Sequence, residues 1–97
     1  MKDWYDIYIE EPIRDIVKLL RNNGINTTSS CGHKMTVECE YYIGNDEVFR
    51  IYHLLYNHGY RNFNLTAVIE VIEGHPHSFI EISIFKKRRW KNGNRRN

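Results

Sequence analysis

The sequence predicts an α+β fold: a ferredoxin-like βαββαβ sandwich with one extra C-terminal β-strand. Three observations predict it. Strand-like segments, most of them alternating apolar and polar residues, recur along the chain. Two segments with apolar residues at helical spacing lie after the first and the third of these strands. The resulting order (strand, helix, strand, strand, helix, strand) is the split βαβ pattern, and one more strand follows it as a hairpin partner.

Each element has a local justification. Residues 4–10 alternate, with Tyr5, Ile7 and Ile9 on one face and Trp4, Asp6, Tyr8 and Glu10 on the other, which predicts a half-buried first strand. Pro12 suits the first turn of a helix, where its missing N–H costs nothing. Ile13, Ile16, Val17 and Leu20 then form one apolar stripe, and Asn23-Gly24 ends it, with Gly24 as a left-handed cap and Ile25 as its apolar clasp. Asn26 to Ser30 reads as a short polar edge strand. Gly32 and Lys34 bracket a turn, and Met35 to Ile43 alternate as a third strand. Asn45 is the expected N-cap of a second helix with the stripe Val48, Ile51, Tyr52 and Leu55, closed by Gly59. Phe63 to Ile72 is rich in strand formers, Glu73 to His77 is a turn, and Phe79 to Phe85 is the last strand. The expected sheet order is 5-4-1-3-2 with both helices on one face. This order puts the polar second strand at an edge and the most apolar strand, the fourth, inside.

Ninety-seven residues with 41% hydrophobic and 13% aromatic content make one globular domain, read as residues 1–85, with residues 86–97 as a basic, flexible tail. The formal net charge of +2 hides a division. Residues 1–85 hold seven basic residues against twelve acids, a charge of −5, while residues 86–97 hold seven basic residues and no acid. The acidic part repels nucleic-acid phosphates and the tail attracts them. No apolar stretch approaches the roughly 20 residues of a membrane span, and the N-terminus lacks the apolar core of a secretion signal. The two cysteines, Cys31 and Cys39, are read as reduced thiols in a cytoplasmic protein. With a turn at residues 32–35, Cys31 falls opposite Thr36 and Cys39 opposite Thr28, an offset of about 10 Å along the strands. That is too far for a disulfide.

Three groups of residues are candidate sites. The basic tail, Lys86, Lys87, Arg88, Arg89, Trp90, Lys91, Arg95 and Arg96, interleaves phosphate-binding cations with one aromatic ring able to stack on a base. The open sheet face is expected to carry Asp6 and Tyr8 of the first strand, Glu38, Glu40 and Tyr42 of the third, Glu70 of the fourth and Glu81 of the fifth, with Asp6, Glu38, Glu40 and Glu70 as candidate metal ligands. These acids either stand staggered and solvated or attract a cation, a divalent metal among them. Cys31 and His33, two residues apart, suggest a nucleophile with its base or a pair of metal ligands, against the alternative of a plain turn with a half-buried thiol.

The run Gly24-Ile25-Asn26-Thr27-Thr28-Ser29-Ser30-Cys31-Gly32-His33 resembles a segment of small uncharacterised bacterial and phage proteins, written G-x-x-T-x-x-S-C-(x)-G-H. Here the Gly-His pair follows the cysteine directly, without an intervening acid. The resemblance implies a similar small α/β unit and no particular activity. Ten asparagines and seven tyrosines suit an AT-rich bacterial or phage genome.

Phosphate-binding glycine loops, a G-x-S-x-G elbow, a His-Glu-x-x-His helix and a calcium loop are absent from the sequence. The first reading is therefore a binding protein that uses its tail on nucleic acid, with a homodimer through the sheet face or a free strand edge. The rivals are a small metal- or thiol-dependent enzyme and a protein–protein adaptor docking through the acidic face.

Overall fold

The computed structural model describes residues 3–85. Three helices and four strands follow one another as α1 (Trp4–Tyr8), α2 (Glu11–Asn22), β1 (Thr27–Cys31), β2 (Thr36–Glu40), α3 (Glu47–Asn57), β3 (Phe63–Ile72) and β4 (His75–Ile84). The strands form one antiparallel sheet in the order β1-β2-β4-β3. The α+β class is as expected. The five-strand ferredoxin-like order 5-4-1-3-2 is not what the chain adopts.

The difference begins at the N-terminus, where residues 4–8 are helical. Asp3 caps this turn, its side chain accepting the Asp6 N–H at 3.0 Å. Tyr5 and Ile9 stand four residues apart, so they share a helix face as readily as a strand face, and both pack against the core. Ile7, which a strand would have buried beside them, is 60% exposed. Arg14 fixes the far end: its guanidinium donates to the carbonyls of Tyr5 and Ile9 and stands 3.5 Å from the Asp6 carboxylate. With no first strand in the sheet, β4 takes the place beside β2. The apolar β3, expected inside, becomes an edge.

Helix α2 forms as its stripe requires. Ile13, Ile16, Val17 and Leu20 are buried, and Pro12 sits in the first turn. Gly24 has φ +82°, a conformation that a side chain disfavours, and Ile25 returns its N–H to the Leu20 carbonyl and is itself buried. In α3, Ile51 and Leu55 are buried while Tyr52 is 41% exposed. The N-cap is Asp46, one residue later than expected, and it makes no side-chain cap hydrogen bond.

One face of the sheet meets the helices. Val37 and Cys39 of β2 stand opposite Ile82 and Ile80 of β4, and all four are fully buried with the α2 and α3 stripes in a single core. The third strand was expected to run to Ile43, but β2 stops at Glu40, and Tyr42 and Ile43 are exposed. The expected Glu73–His77 turn is shorter: Glu73 and Gly74, both at positive φ, form a two-residue hairpin loop between Ile72 and His75. Because Glu40 pairs with Phe79, the β3–β4 hairpin beyond Val68 extends past the rest of the sheet. Among the described residues, no helix is long and apolar enough to cross a membrane.

Candidate functional site

The turn after β1 left two alternatives: Cys31 paired with His33, or a plain turn with a half-buried thiol. The chain does turn there, and Cys31 stands opposite Thr36. A bulge between Thr27 and Ser29 shifts the far end, so Cys39 faces Thr27 instead of Thr28, and both thiols are free. His33 does not engage the sulfur. Its Nδ1 lies 3.5 Å from the Glu10 carboxylate, and no hydrogen bond joins it to Cys31 among the described residues. Glu10 is the N-cap residue of α2, and its other carboxylate oxygen accepts the buried Gly32 N–H at 2.5 Å. A Cβ at position 32 would stand 2.8 Å from Glu10 Cβ, so the close approach needs glycine. The arrangement is a tether between α2 and the β1–β2 turn. The His33 side chain is 90% exposed, and the cleft beside it, lined by Glu10, Glu11, Pro12, Gly32 and His33, is shallow. A nucleophile–base pair needs the sulfur and the imidazole within hydrogen-bond reach, which this turn does not provide.

The second thiol is chemically quiet. Burial, with Glu47 and Glu38 nearby, pushes the Cys39 thiol up to about 12, far above the range in which a thiolate attacks or binds metal.

Of the four expected open-face acids, Glu38, Glu40 and Glu70 do lie on the sheet face away from the helices, opposite in phase to the buried Val37, Cys39, Ile80 and Ile82, and Asp6 does not. Asp6 lies on α1, off the sheet, against Arg14. Glu40 faces Phe79, and Glu70 faces His77 on the extended hairpin. Only Glu38 finds another acid, Glu81, directly opposite it on β4. The same row continues to Ser29 on β1 and Thr66 on β3. Opposed carboxylates repel, and a hydroxyl residue on each side of the pair is a mild setting for them. No group of three or more His, Cys, Asp or Glu residues able to hold a metal ion occurs among the described residues. The basic tail, Lys86 to Arg96, lies outside the described residues.

Two features were missed in the sequence. The first is Glu10, read as one more polar residue of a strand. The second is an aromatic groove between α3 and β3, of about 510 Å³, lined by Val48, Phe49, Tyr52, Tyr56, Arg61, Phe63, Asn64 and Leu65. Tyr52 meets Tyr56 at 5.8 Å and Phe63 at 6.3 Å between ring centroids, and the Arg61 guanidinium lies 4.0 Å over the Tyr56 ring. Phe49, Tyr52 and Tyr56 recur at three- and four-residue spacing, a second apolar stripe beside Ile51 and Leu55. That spacing was the available signal, but it was absorbed into the core stripe. A larger, more polar groove of about 610 Å³ lies between α3 and the end of α2. There Arg50 donates to the Asn23 carbonyl at 3.1 Å and to Glu47 at 2.6 Å.

No protein-family model, curated protein or solved structure matches this chain.

Proposed function

We propose that this protein is a non-catalytic binding module that contacts nucleic acid through residues 86–97, with the acidic folded part as a carrier that stays off the phosphates. The separation of charge carries this reading: all twelve acids lie before residue 86, and seven cations without one acid follow. Cations drawn from one short segment release the counterions condensed on a nucleic acid, which drives sequence-independent, salt-sensitive binding. Trp90 supplies a flat ring for an unpaired base.

The fold supports the reading by the way it delivers the segment. The Ile84 N–H donates to the Met35 carbonyl at 2.8 Å and the Phe85 N–H to the Asn62 carbonyl at 3.0 Å. The backbone is thus held on both sides up to the residue before Lys86. The candidate chemical sites of the folded part support binding over catalysis as well, since His33 pairs with Glu10 and not with the Cys31 sulfur, and the open-face carboxylates form no group of three able to hold a metal ion among the described residues. Two free thiols suit a reducing, cytoplasmic compartment.

The test is fluorescence anisotropy with labelled single- and double-stranded DNA and RNA. The full chain is compared with a full-length variant in which Lys86, Lys87, Arg88, Arg89 and Lys91 are all glutamine. Tail-dependent binding that weakens with salt is expected. Absence of binding by the natural chain at low salt overturns the proposal.

A further inference from the structure

The two edges of the sheet are built differently. β1 is five residues long, polar and bulged, and Arg21 donates to the Thr27 carbonyl and hydroxyl on it. These are ordinary protections of an edge strand. β3 has none of them. It is ten residues long, pairs with β4 in unbroken register, and contains no proline and no lysine. The Asn62–Phe85 hydrogen bond sets the phase of its ladder. Asn64, Thr66, Val68, Glu70 and Ile72 therefore turn their N–H and C=O groups to β4, and Phe63, Leu65, Ala67, Ile69 and Val71 turn theirs outward.

The same five side chains lie on the helix side of the sheet, where the strand divides in two. Phe63 and Leu65 are packed against the core beneath the aromatic groove. Ile69 and Val71, on the hairpin extension, are 54% and 66% exposed. Each chain thus has one covered half with a groove and one bare apolar half, which is what a self-complementary twofold contact requires.

We infer that a second copy of this chain pairs with β3, the two strands running antiparallel about a twofold axis at Ala67. This register gives the greatest overlap of outward-facing groups, with about ten new backbone hydrogen bonds. It sets Val71 opposite Phe63 of the other copy and Ile69 opposite Leu65, so each bare half lies against the other's aromatic groove. It sets Glu70 opposite Asn64 and keeps like charges apart. Carried to the strand ends, it brings Glu73 opposite Arg61. Among the described residues, Arg61 has no acidic partner, its guanidinium bonding only to the Tyr56 and Tyr60 carbonyls, and Glu73 has no cationic partner. The inference does not rest on nucleic-acid binding.

The test is sedimentation equilibrium of the full chain, without nucleic acid and at a salt concentration that suppresses tail contacts. A dimer is expected. Ala67→Pro removes an outward N–H that β4 does not use, so the fold is retained and the dissociation constant rises roughly tenfold or more. Arg61→Glu and Glu73→Arg each weaken the dimer, and together they restore it. The charge-swap series decides the matter by itself if Ala67→Pro fails to fold. A chain that stays monomeric at every concentration overturns the inference. So does a dimer that survives Ala67→Pro, or one in which the double reversal restores nothing.

Discussion

Glu10 and Gly32 are held together by a short tertiary hydrogen bond: the carboxylate of one accepts the buried N–H of the other at 2.5 Å, twenty-two residues along the chain. The contact ties the start of α2 to the turn between β1 and β2. Glu10→Ala leaves the Gly32 N–H without its acceptor and is expected to cost about 1–3 kcal/mol of stability. Gly32→Ala drives a methyl group into Glu10 and destabilises by a similar route. The two losses share one contact, so the double variant costs clearly less than their sum. Urea denaturation of the four proteins checks this, and simple additivity would contradict the tether.

The thiols are expected to differ sharply in reactivity. Cys31 is half-buried and Cys39 is fully buried. Native protein treated with an alkylating reagent at neutral pH takes up one equivalent quickly, and the second only on unfolding. The Cys39 thiol also links stability to alkaline pH. Its folded value, pushed to about 12, lies above the ordinary 9.0. The stability linked to it is intact below pH 9.0 and is lost as pH rises toward 12. Cys39→Ala should remove this component of the alkaline loss.

Substitutions separate the helical N-terminus from the expected strand. Ile82→Ala empties a fully buried site on β4 and is expected to cost about 2–5 kcal/mol. Ile7→Ala, on the outer side of α1, is expected to change stability by less than about 0.5 kcal/mol. A core-sized loss at Ile7 would return residues 4–10 to the sheet.

How much was legible follows from these elements. The α2 stripe, its Gly24 cap and the Ile25 clasp are all local patterns of apolar spacing and backbone permissiveness, and the chain obeys them. The segment at 4–10 was ambiguous because Tyr5 and Ile9 satisfy both periods. Asp3 as a cap and Arg14, nine residues beyond Tyr5, decided for helix. Strand order is not a local property: once that strand is missing, the neighbour of β2 changes, Asp6 leaves the open face and Glu81 comes to stand opposite Glu38. The Cys31–His33 spacing was read correctly as a turn, but the imidazole's partner, Glu10, comes from a different element that spacing cannot show.

α1 is expected to loosen in acid. The Asp6 N–H, donated to the Asp3 carboxylate, holds that group below its ordinary 3.8. The contribution is therefore present above pH 3.8 and is lost as pH falls through the lower folded value. In a Trp90→Phe variant, Trp4 is the sole tryptophan and reports α1 directly. Its emission should change in this acid range, and Asp3→Ala should remove that component.

The central claim is that residues 86–97 bring this protein to nucleic acid, and the salt dependence of duplex binding tests it most directly. Seven cations predict that the logarithm of the binding constant falls linearly with the logarithm of salt concentration, with a slope as steep as about −6. The variant with glutamine at positions 86, 87, 88, 89 and 91 should show a much shallower slope. Equal slopes for the two proteins, or no measurable binding by the natural chain at low salt, would contradict the claim.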